Sequence, residues 1–71
     1  MNKKIMAMIK DKQQRKQFLK EFLVFALQEQ NKYIAINDPK EISNMNMIIE
    51  KTLEQIDDLS LAIHELNRDM K

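Results

Sequence analysis

Few residues in this chain could do covalent chemistry. His64 is the only histidine, and there is no cysteine to act as nucleophile, thiolate ligand or disulfide partner. A general base needs an activated nucleophile within reach, and none is expected to work with His64. The carboxylates Glu50, Glu54, Asp57 and Asp58 fall at i, i+4, i+7 and i+8, so a helix would gather them on one side. Carboxylate-bridged metal sites in helical bundles use Glu-x-x-His pairs on facing helices, a spacing absent here. A solvated or ion-paired face is therefore expected. No catalytic residue, cofactor site or metal site is predicted, and the chain reads as non-enzymatic.

Charge is the stronger signal. The formal net charge is only +1, but residues 1–20 carry seven bases against one acid, and residues 41–71 carry seven acids against three bases. Two uses of this asymmetry are open: a basic arm for an external polyanion, or two halves that pair with each other. Lys3, Lys4, Lys10 and Lys20 are the candidate polyanion contacts. Against nucleic acid stands the shortage of guanidinium groups, two Arg beside ten Lys. RNA or DNA binding is thus the alternative, and membrane-surface binding by an amphipathic helix over residues 1–27 a weaker one.

The elements that must carry these residues are helices. With 71 residues, no Gly and a single Pro, the chain lacks what hairpin-rich β folds and glycine-rich phosphate loops need. Asp38-Pro39-Lys40-Glu41 is a helix-start signature: a capping carboxylate, Pro at the first helical position, and an acid three residues after the cap. From there Ile42, Met45, Ile49, Thr52, Ile56, Leu59, Ile63, Leu66 and Met70 keep an unbroken alternation of three- and four-residue gaps. That is a heptad seam, with Ile at a and Leu at two d positions. Ile48, Leu53 and Ala62 flank it at g and e. Met47 and Leu61 stand opposite it at f and suggest a second packing surface.

The amino-terminal half is less regular. Residues 18–27 are apolar on nearly every side, with Phe18, Phe22 and Phe25 forming one aromatic ridge. One helix over about residues 3–31 is predicted, with 10–12 as the place where it could break. An extended connector over 32–38, whose Tyr33, Ile34 and Ile36 would cap the open end of a bundle, follows it. The second helix runs from about 39 to 70. In an antiparallel hairpin so folded, residue i meets roughly residue 69 − i. Lys12, Arg15 and Lys16 would then approach Asp57, Glu54 and Leu53, with Asp58 and Glu50 nearby.

A chain of this length buries only about 60% of its unfolded surface, and with no disulfide or metal a second chain is the natural remedy. The expectation is one all-α domain over residues 1–71, an antiparallel two-helix hairpin that dimerises into a four-helix bundle. Its core would be Phe18, Leu19, Phe22, Leu23 and Phe25 from the first helix and Ile49, Ile56, Leu59, Ile63 and Leu66 from the second. No stretch reaches the roughly 18–20 apolar residues of a membrane span. Lys10, Asp11 and Lys12 interrupt the start too early for a secretory leader, so a cytoplasmic location is expected. The residues carry no motif that identifies a family. The function expected is a homodimeric interaction module (adaptor, regulator or chaperone-like) with a further, unidentified protein partner.

Overall fold

A computed structural model describes residues 2–70. Two helices, α1 (Lys3–Ala35) and α2 (Pro39–Asp69), fold back on each other as an antiparallel hairpin with extents of 54 × 14 × 12 Å. Among the described residues there is no strand.

Both helix starts are capped by side chains. The Asn2 Oδ1 accepts from the backbone N–H of Lys4 (3.1 Å) and Ile5 (3.2 Å), and the Asp38 Oδ1 accepts from Glu41 N–H (3.2 Å). Each satisfies donors that the first helical turn leaves without partners. Pro39 follows Asp38 at the first helical position, as the sequence implies.

The turn is a Schellman motif built without glycine. Asn37 takes the left-handed conformation at φ 54°. Its N–H bonds to Ile34 C=O (3.1 Å), while Asp38 N–H reaches back to Tyr33 C=O (3.0 Å). Asn is the residue type other than Gly that enters this region at least cost. A single tight corner therefore replaces the expected connector.

Two expectations about the amino-terminal half are corrected. Residues 32–35 are helical, not extended, and α1 runs without a break through residues 10–12. The cause lies in a heptad seam that α1 also possesses. Its inward positions are Ile5, Ile9, Lys12, Lys16, Leu19, Leu23, Ala26, Gln30 and Tyr33, all buried or half-buried. Their spacing alternates between four and three residues throughout, and extending the helix to Tyr33 completes it. The helix-propensity cost of Tyr33 and Ile34, below about 0.7 kcal/mol each, is small against that packing.

The longer α1 moves the register. Gln30 Nε2 donates to Ile42 C=O (3.5 Å) and to Asn46 Oδ1, Arg15 and Leu19 share a depression with Gln55 and Leu59, and Ile9 shares one with Asn67 and Met70. Residue i thus lies level with roughly residue 75 − i. Among the described residues only Ile9, Ala26, Ile56 and Thr52 are buried, which is what one contact line between two helices can cover. The Thr52 hydroxyl is satisfied inside the seam by donating to Ile48 C=O at 2.8 Å.

Candidate interaction surface

The register overturns the expected pairing of basic and acidic patches. Lys12 and Lys16 are half-buried on the seam, level with Ile63 and Leu59, and Arg15 pairs within its own helix with Asp11 at 3.8 Å. Glu50, Glu54 and Asp57 are exposed on α2, as is Asp58. The other salt bridge among the described residues, Lys32–Glu29 at 3.0 Å, is also internal to α1. The physical reason is the shift of about six residues caused by the helical 32–35 segment. That shift sets the acids level with residues 17–25 and leaves Lys12 and Lys16 opposite Ile63 and Leu59.

The seam residues expected in the core lie on the shared line of the hairpin. Ile56 is buried, and Leu19, Leu23, Ile49, Leu59, Ile63 and Leu66 are half-buried. The aromatic ridge does not lie there. Phe18 is 67% exposed, Phe22 38% and Phe25 55%. Phe22 and Phe25 tilt against each other with ring centroids 6.4 Å apart. Ile34 and Ile36, expected to close the end of the bundle, are exposed in the hairpin, as are Met47 and Leu61 at f.

Apart from Met47 and Leu61 at f and Ile36 and Met70 at the helix ends, the exposed large apolar residues sort onto two sides of the rod. In an antiparallel helix pair the g positions of both helices share one flank and the e positions the other. The g and c flank of α1 carries Met8, Phe18, Phe22 and Phe25, beside Ile48 on α2. The e and b flank carries Met6, Val24, Leu27 and Ile34, beside Leu53. Exposed apolar side chains in this number are uncommon on a monomeric chain, which makes both flanks candidate contact surfaces. A depression of about 440 Å³ between Phe18, Leu19 and Leu59, edged by Arg15 and Asp58, is open to solvent along the rod.

The candidate polyanion contacts Lys3, Lys4, Lys10 and Lys20 are all exposed. Lys3, Lys10 and Lys20 follow the e and b flank, whereas Lys4 lies at c on the other side. His64 is exposed at position b of α2. Among the described residues, no three His, Asp or Glu side chains are placed to hold a metal ion, and no helix is long and apolar enough to cross a membrane.

The reading of the sequence missed the first seam. Three of its nine positions are Lys12, Lys16 and Gln30, and these hide the heptad from a search for apolar residues. Counting half-buried lysines as seam members, with stems packed and ammonium groups in water, would have found it. Comparison with known proteins returns no matching family model, no matching curated protein and no matching solved structure.

Proposed function

We propose that the chain is a non-enzymatic protein–protein interaction module that works in the cytoplasm as a homodimeric helical bundle and presents a helical face to a further protein. The observation that carries this reading is the exposure of large apolar side chains on both flanks of the rod, centred on residues 18–27. A second copy covers one flank. The other flank, with Val24, Leu27, Ile34 and Leu53, is then free for an amphipathic helix of another protein.

The alternative, RNA or DNA binding through Lys3, Lys4, Lys10 and Lys20, rests on the basic run in the first twenty residues. Two measurements on one sample separate them. Amine cross-linking at micromolar concentration is expected to trap two chains, and fluorescence anisotropy of a labelled RNA duplex is expected to show no salt-dependent binding. A single uncross-linked chain whose RNA affinity falls steeply with salt would overturn the proposal in favour of the alternative.

A further inference from the structure

The outer ridge of α1 keeps its order of apolar and charged residues when reversed, with every charge changed in sign. Along the g and c positions it runs Met8, Asp11, Arg15, then Phe18, Phe22, Phe25, then Glu29 and Lys32, and it ends on Ile36, the residue that caps the helix. Each end is an apolar residue, and inside each lies an ion pair closed within the helix, Asp11–Arg15 on one side and Glu29–Lys32 on the other. Both pairs place the acid before the base. A second copy laid antiparallel with Phe22 at the centre therefore sets Phe18 beside Phe25, Arg15 beside Glu29, Asp11 beside Lys32, and Met8 beside Ile36. Every contact joins like polarity or opposite charge. A parallel copy would instead set each charge against itself.

We infer that this ridge is the self-complementary interface of the homodimer, with the molecular two-fold axis passing at Phe22 and the two hairpins antiparallel. The inference rests on the proposed homodimeric reading and specifies its face and direction. An isologous two-fold contact requires a patch that is complementary to itself under rotation, and the ridge meets that requirement.

Two whole-molecule quantities agree. The hairpin exposes 5685 Å², whereas a compact chain of its mass exposes about 4,650 Å² by size scaling. The excess of about 1,000 Å² is close to the roughly 800 Å² that each partner buries in a standard interface. Charge also divides along the rod. Among the described residues, the chain-end half (residues 2–20 and 55–70) has eight bases against five acids, and the turn half (21–54) has three bases against six acids. The halves thus carry +3 and −3. Antiparallel packing sets each half against its opposite, and parallel packing sets like against like.

Charge reversal tests this directly. R15E sets a carboxylate against Glu29 of a second identical copy, and E29R sets a guanidinium against Arg15. Each variant alone is expected to self-associate at least about tenfold more weakly than the wild type, because symmetry changes two contacts at once. An equimolar mixture restores both contacts in a heterodimer, so its association is expected to return to within about threefold of the wild type. Circular dichroism, expected to show unchanged helix content, separates this from unfolding. Single variants that associate as tightly as the wild type, or a mixture no tighter than its components, would overturn the antiparallel ridge while leaving the homodimer standing. A wild-type chain that does not self-associate overturns the homodimer itself.

Discussion

Two lysines occupy seam positions that leucine would fill in a stronger coiled coil. Lys12 and Lys16 lie half-buried between Ile9 and Leu19, a setting in which a lysine stem can cover apolar surface while its ammonium group stays in water. Lysine at a seam position lowers stability but restricts which helix can pack there and in which register. Lys16→Leu is accordingly expected to stabilise the hairpin by about 1 kcal/mol, read as a higher urea midpoint, because it adds buried apolar area level with Leu59. Thr52 behaves differently. Its hydroxyl already has a partner in Ile48 C=O, so the seam tolerates it without an unpaired polar group. Arg15 and Asp11 are exposed, and their pairing inside one helix contributes little to the stability of the isolated hairpin. Their importance lies in what a second chain would meet.

At the scale of the element, the corner decides the register of everything else. Asn37 holds a left-handed conformation that costs a residue with a Cβ about 1–2 kcal/mol, and asparagine bears that cost better than most. Asn37→Ala is expected to lower stability by about 1 kcal/mol, and Asn37→Gly to raise it slightly, in thermal melts followed by circular dichroism. Asp38→Ala is expected to cost about 1 kcal/mol by the same measurement, through loss of the α2 cap. The second helix was legible in the sequence alone, since Asp38, Pro39, Glu41 and an almost wholly apolar heptad all state it locally. The first was legible as a helix but not as a seam, because Lys12, Lys16 and Gln30 break its apolar pattern. Its end was misplaced for a tertiary reason. Tyr33 and Ile34 look strand-like alone, and only the facing helix makes helix the better state. From that one misplacement followed the wrong register and the supposed pairing of Lys12, Arg15 and Lys16 with Glu54 and Asp57. The apolar ridge of the candidate surface was visible as Phe18, Phe22 and Phe25, but its outward direction was not, because residues 18–27 are apolar on nearly every side.

As a whole molecule the hairpin is a rod 54 Å long with a single line of contact, and its apolar residues outnumber the positions that line can bury. The proposed antiparallel dimer fixes distances along that rod. A spin label on Ala35→Cys, the only thiol in the chain, would lie about 39 Å along the axis from its copy if Phe22 marks the two-fold axis. Pulsed dipolar spectroscopy is expected to read a separation near that value, whereas a parallel dimer would bring the labels within the width of the bundle. The pairing of two hairpins through the aromatic ridge is the central claim, and sedimentation equilibrium tests it most directly. Phe18 is 67% exposed in the hairpin, so Phe18→Glu alters the ridge with little effect on the fold of one chain. The wild type is predicted to sediment at micromolar concentration with twice the mass of one chain, and the Phe18→Glu variant with the mass of one, at unchanged helix content. A wild type that sediments as a single folded chain, or a variant that remains a dimer, would contradict it.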